Sequence, residues 1–118
     1  MKRFGTVICA ALIGFAAQAS AEFRQITTRT DFMNLVSGKT LTRPLIKLRV
    51  LPDGNISGKG ATREVTGKWS WERGFFCRSL TWGDKDLPYN CQEIKSDGSR
   101  LRITSDKGSG ESAEFKLR

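Results

Sequence analysis

The chain has no histidine and only three cysteines, and beyond Ala17 it has no apolar run long enough to cross a bilayer. Each absence removes a class of function. Without histidine, serine and cysteine triads that use an imidazole base are unavailable. Two cysteines without histidine do not make a structural zinc site. No glycine-rich phosphate loop follows a strand and opens a helix, which removes nucleotide and dinucleotide sites, and no cofactor is expected. Paired carboxylates suit glycosidase chemistry, but the nearest pair, Asp84 and Asp86, sits in a polar loop with nothing to shift a pKa. The acidic stretch from Asp106 to Glu111 holds more glycine and serine than carboxylate and falls short of a calcium loop. The expectation is a protein without catalytic activity.

What is present begins with an export pattern. Lys2 and Arg3 precede an apolar run from Phe4 to Ala17, which closes on Gln18-Ala19-Ser20-Ala21 with small residues at Ala19 and Ala21. This is a positive, apolar and small-residue sequence in the order of a signal peptide, with cleavage expected after Ala21. The run is too short for a span, which takes roughly 20 residues. Cys9 lies inside it and is read as filler. Residues 22–118 then form the mature chain, a single domain in the periplasm or outside the cell, with no transmembrane segment. Its two remaining cysteines, Cys77 and Cys91, are expected to form a disulfide in an oxidising compartment. Losing Lys2 and Arg3 leaves 18 basic against 12 acidic residues, a formal charge of +6. Such a charge suits anionic surroundings, and it also suits plain solubility.

The patterning is mostly that of strands. Glu22 to Arg29 reads as a mobile lead-in. Thr30 is placed to cap a short helix from Asp31, with Phe32, Leu35 and Val36 at helical spacing and Gly38 as the stop. From Thr40 the period becomes two. Ile46, Leu48 and Val50 alternate with Lys47 and Arg49; a Pro52-Asp53-Gly54-Asn55 turn follows, then Ile56 to Ala61. Val65 to Glu72 turns at Arg73-Gly74 into Phe75 to Thr81. After a polar loop from Gly83 to Pro88 come Tyr89 to Lys95, Arg100 to Ser105 and Ala113 to Arg118. Short strands joined by hairpin turns predict an all-β fold. The expected architecture is a small antiparallel up-and-down barrel, or a strongly curled sheet, of 7–8 strands with one short N-terminal helix.

The Arg73-Gly74 turn sets a register. If it has two residues, Glu72 faces Phe75, Trp71 faces Phe76, Ser70 faces Cys77 and Trp69 faces Arg78. One face then holds Trp69, Trp71, Phe76, Arg78, Leu80 and Trp82, and it must be the interior. Gln92 joins it if Ile94 points inward, while Cys77 and Cys91 point outward. An inward arginine among tryptophans breaks the pattern. It serves either an anionic or amphipathic ligand held with Trp69, Trp71, Trp82 and Gln92, or a structural role, stacked on Trp69 and reaching Glu93 or Asp84. Lys47, Arg49, Arg100, Arg102, Lys116 and Arg118 fall on the outer register. They form either an anion-binding face or a solvated strand surface that blunts edges. Closure is expected to bring Lys116 and Arg118 near Lys47 and Arg49.

Several stretches together carry a resemblance. Phe32-x-x-Leu35 with Gly38-x-x-Leu41, Gly67-Lys68-Trp69-Ser70-Trp71, Gly74-Phe75-Phe76-Cys77-Arg78, Tyr89-Asn90-Cys91-Gln92 and Ser112-Ala113-Glu114-Phe115-Lys116-Leu117 resemble a family of short exported bacterial proteins without established activity. Some members of that family bear the label dihydrodipicolinate reductase. A reductase of that name needs a longer dinucleotide-binding fold with its glycine fingerprint, and this chain has neither, so the label is misplaced. The architecture is also similar to small secreted β-barrels that inhibit proteases with one disulfide and a mobile N-terminal segment. The leading expectation is a binding protein for a small anionic or amphipathic ligand, or for an anionic lipid or glycan. The alternative is a protein-interaction module, such as an inhibitor that inserts Glu22–Arg29 into a partner's cleft.

Overall fold

A computed structural model describes residues 22–118. The leader read in residues 1–21, with Cys9, lies outside the described residues. The elements in chain order are β1 (Arg24–Ile26), α1 (Arg29–Val36), β2 (Leu41–Arg43), β3 (Ile46–Val50), β4 (Asn55–Gly60), β5 (Arg63–Glu72), β6 (Phe75–Trp82), β7 (Lys85–Ser96), β8 (Arg100–Thr104) and β9 (Ser112–Leu117). A single 3-10 turn at Asp106–Gly108 lies in the loop before β9. Strands β2 to β9 pair antiparallel in sequence order, and β9 returns to β2, so eight strands close into a barrel. The ninth, β1, lies outside that circuit against the far end of β7.

Tight hairpins account for the meander. Arg73 and Gly74 both have positive φ, 51° and 88°. This two-residue loop matches the twist of the flanking strands. The register it imposes is the expected one: Glu72 opposite Phe75, Trp71 opposite Phe76, Ser70 opposite Cys77 and Trp69 opposite Arg78. Curling so few residues into a closed wall brings adjacent backbones close on the inside. At Gly67 a Cβ would run into the Ser79 carbonyl, so only glycine fits there.

The helix closes one end. The Thr28 hydroxyl accepts the Asp31 N–H at 3.1 Å and caps α1. Helix α1 thus starts two residues before the expected Asp31, and the cap is Thr28, not Thr30. Gly38, at φ 73°, ends it as anticipated. Phe32 is 1% exposed and drives its ring into the barrel bottom. Its centroid lies 5.4 Å from Trp69, 5.1 Å from Trp71 and 5.1 Å from Phe76. Val36, Leu41, Ile94 and Leu101 complete the floor of the core. Burying Phe32 and Val36 stabilises a helix too short to persist alone.

The expected lead-in contains a paired strand. Arg24–Ile26 is a strand in register with Ile94–Ser96. Phe23 lies beneath the guanidinium groups of Arg100 and Arg102, at 5.0 and 4.0 Å from its ring centroid. The Thr27 carbonyl accepts the Trp71 indole N–H at 3.1 Å. The long strand β7 overruns β6, and β1 fills the edge it leaves.

The loop expected from Gly83 to Pro88 is instead a two-residue turn, Gly83-Asp84, followed at once by β7. The β6–β7 register shifts between Arg78 and Leu80, and the bulge on β7 accommodates Pro88, which has no N–H to give to the ladder. Cys77 and Cys91 are opposite each other across this pair and form a disulfide, pinning the hairpin from the outer face. Cys77 alternates with the inward Phe76 and Arg78, and in its bond to Cys91 it is 1% exposed. No helix among the described residues is long and apolar enough to cross a membrane.

Candidate functional site: the barrel cavity and its mouth

Above the Phe32 plug the barrel encloses a cavity of about 390 Å³, within the size range of small-molecule sites. Strand alternation supplies its wall. Leu41, Leu48, Val50, Ile56, Phe76, Leu80, Ile103 and Phe115 present apolar surface from six of the barrel strands and the edge of the floor. Toward the end opposite the helix, Leu48, Leu80 and Phe115 are shared with a second hollow of about 490 Å³. That hollow is lined almost wholly by apolar groups, among them Pro44, Leu45, Ala61, Val65, Trp82 and Leu87. The three shared side chains stand between the two, so the apolar wall of the interior continues to the mouth of the barrel.

The polar groups on the cavity wall are few: Arg43, Arg78, Gln92, Ser105, Glu111 and Ser112. Most have protein partners. The Gln92 amide donates to the Ser105 hydroxyl at 3.1 Å, and the Ser112 hydroxyl is 2.7 Å from that of Thr104. Arg43 lies over the Phe115 ring at 5.6 Å. Arg78 differs. One of its N–H groups donates to the carbonyl of Pro88, in the β7 bulge, at 2.7 Å. Among the described residues no carboxylate comes within ion-pair distance of it. Desolvation lowers its pKa from the ordinary guanidinium value, but an arginine keeps its proton at any physiological pH. The site therefore holds a half-buried positive charge with four of its five donors outside that single bond.

The structure separates the expected ligand residues. Arg78 and Gln92 both line the cavity. Trp82 lines the mouth, its indole N–H held by the Gly60 carbonyl at 2.8 Å. Trp69 and Trp71 do not line the cavity: Phe32 occupies the space against their rings, and their N–H groups bond to the carbonyls of Leu51 and Thr27. The structural partners foreseen for Arg78 are engaged elsewhere. Asp84 pairs with Arg63, Glu93 with Lys95, and the guanidinium over Trp69 belongs to Arg29. Arg43, Ser105, Glu111 and Ser112 were missed. Arg43 had a legible signal, because it follows Leu41 by two and shares its inner register.

The outer basic residues divide in two. Arg100 and Arg102 bond to Glu114, and Arg100 also to Asp97. Lys47, Arg49, Lys116 and Arg118 are exposed and enter no ion pair among the described residues. Closure does not set them side by side as expected, because β2 lies between β9 and β3. Thr42 pairs with Lys116 on one side and Lys47 on the other. The three-residue strand, cut off by Pro44, was too short to register as a strand in the sequence.

Comparison with protein-family models, curated proteins and solved structures gives no match to this chain.

Proposed function

We propose that the protein is a non-catalytic binding protein whose barrel holds a small amphipathic acid. The acid group pairs with the Arg78 guanidinium. The apolar body runs along Leu48, Leu80 and Phe115 toward the mouth at Trp82. One observation carries this reading: a cavity-lining guanidinium with a single carbonyl partner and, among the described residues, no carboxylate within ion-pair distance. A half-buried charge loses part of its hydration, and an anionic head group would supply the missing acceptors while the wall takes the chain. Binding without chemistry is supported by the hydroxyl and amide groups of the wall, which are bonded to one another rather than arranged as nucleophile and base. A disulfide-bearing chain with the leader pattern of residues 1–21 suits a place of action in the periplasm or outside the cell.

The alternative, a protein inhibitor acting through Glu22–Arg29, would need β1 to leave β7 and Thr27 to give up the Trp71 indole. The test is a titration of a medium-chain carboxylate, followed through the emission of Trp82. Saturable quenching or enhancement that is absent in Trp82→Phe, with the other two tryptophans intact, supports the reading. An unchanged spectrum at saturating carboxylate contradicts it.

A further inference from the structure

At the open end of the barrel one side chain is in the wrong place for a folding role. Leu45 is 80% exposed and has φ 66°. It is the second residue of the two-residue Pro44-Leu45 loop between Arg43 and Ile46. A loop with proline first and a left-handed residue second ordinarily takes glycine or asparagine there. Leucine adds the cost of a left-handed backbone and gains no burial in return. The tip is nevertheless rigid, because the Leu45 carbonyl accepts the Ala61 N–H at 2.7 Å from the neighbouring β4–β5 turn. Pro44, Leu45 and Ala61 thus stand together as a fixed apolar rim above the mouth, with the Trp82 ring below them.

The rim has a charge setting. Arg43, Lys47 and Lys59 are exposed on the strands beneath it. Lys47 and Lys59 face each other directly across β3 and β4, a like-charge pairing that destabilises a sheet. The cations of the ion pairs among the described residues are Arg63, Lys95, Arg100 and Arg102, so these three are in none. The acids nearby offset this only in part. Glu64 faces Lys59 directly across β4 and β5, Asp84 is held by Arg63, and Glu114, which shares a groove with Arg43 and Pro44, is bonded to Arg100 and Arg102.

We propose that this rim docks on an anionic phospholipid bilayer, Leu45 entering the acyl boundary while Arg43, Lys47 and Lys59 meet the head groups. An exposed leucine tip above an excess of cations complements such a surface, which is apolar in depth and negative at the interface. Docked in this way, the mouth opens onto the membrane. The proposal rests on the rim alone and does not require a ligand in the cavity.

The experiment is co-sedimentation of the mature, disulfide-bonded protein with vesicles of phosphatidylglycerol and phosphatidylcholine in equal parts, against vesicles of phosphatidylcholine alone. Wild type is expected on the anionic vesicles and not on the neutral ones, with binding falling as salt rises. Leu45→Asn suits the left-handed backbone, so it should fold at least as stably as wild type yet bind roughly tenfold more weakly. Lys47→Gln with Lys59→Gln should weaken binding by about fivefold for each charge. Arg78→Met, remote from the rim, should bind vesicles as wild type does, which separates failure of this proposal from failure of the cavity reading. Absence of wild-type binding, equal binding to neutral vesicles, or full binding by Leu45→Asn would overturn it.

Discussion

Trp69 and Arg78 face each other across the β5–β6 hairpin, yet the cation over the Trp69 ring is Arg29, with its guanidinium carbon 4.8 Å from the ring centroid. The helix residue comes up from the closed end, donates to the Pro52 carbonyl at 3.1 Å and takes the aromatic face. Phe32 meanwhile meets the same ring in a T-shaped contact. What would have been the structural resting place of Arg78 is filled by α1, and the guanidinium is left to the cavity. The helix is therefore a plug and also the reason Arg78 does not stack on Trp69.

Replacing that charge should show this directly in stability. Arg78 bonds to a carbonyl and not to a carboxylate, so Arg78→Met orphans no opposite charge. The expected outcome in thermal melts of the unliganded protein is a midpoint equal to or above that of wild type. A loss of a few kcal/mol would assign Arg78 to the framework instead.

The plug should be costly to remove. Phe32→Ala leaves a void among Trp69, Trp71 and Phe76 and is expected to destabilise the fold by about 3–5 kcal/mol in denaturant titration. Quenching of tryptophan emission by acrylamide should rise in the same variant. A change below roughly 1 kcal/mol would mean that the bottom of the barrel is closed by something other than this ring.

The disulfide joins residues 14 apart in sequence. In the chain-entropy model a loop of that length is worth roughly 3 kcal/mol. Cys77→Ala with Cys91→Ala should fold with a midpoint lowered to match, and wild type should show no titratable thiol from Cys77 or Cys91 before reduction. Reactive thiols at both positions in the native protein would contradict the bond.

Acid should loosen the closed end through Asp97. Desolvation acts to raise its pKa, but the backbone N–H groups of Ser99 and Arg100 and the Arg100 guanidinium outweigh it and hold the carboxyl at about 2, below its ordinary 3.8. A carboxyl lowered on folding stabilises the protein fully above its unfolded value. The contribution fades as the pH falls from roughly 4 through 2. Asp97→Asn keeps an acceptor in the turn and loses the titration, so its melting temperature should fall less than that of wild type across that window. Parallel curves would leave the turn without a role in acid sensitivity.

Much of the barrel was legible because its hairpins are local. Arg73-Gly74 allows one register, and from it the inward position of Arg78 and the pairing of Ser70 with Cys77 follow by alternation. Three features were not legible, each for a physical reason. Arg24-Gln25-Ile26 is too short to show a period, and it is a strand only because β7 overruns β6. Pro88 reads as loop from sequence, since the bulge that tolerates it depends on the partner strand. Trp69 and Trp71 looked like ligand contacts because nothing local says that Phe32, more than thirty-five residues earlier, will cover them. Leu45, at the β2–β3 turn, drew no reading from the sequence, and only the closed topology shows it exposed at the rim.

The central claim is that Arg78 selects an acid inside the barrel. Calorimetric titration of one medium-chain carboxylate and its primary alcohol into wild type and Arg78→Met tests it most directly. Hydrogen bonds to a charged group contribute about 1.5–3 kcal/mol, so wild type should prefer the acid by roughly ten- to hundredfold. Arg78→Met should bind both with the affinity of the alcohol. Equal affinity for acid and alcohol in wild type, or the same preference in both proteins, would contradict the account.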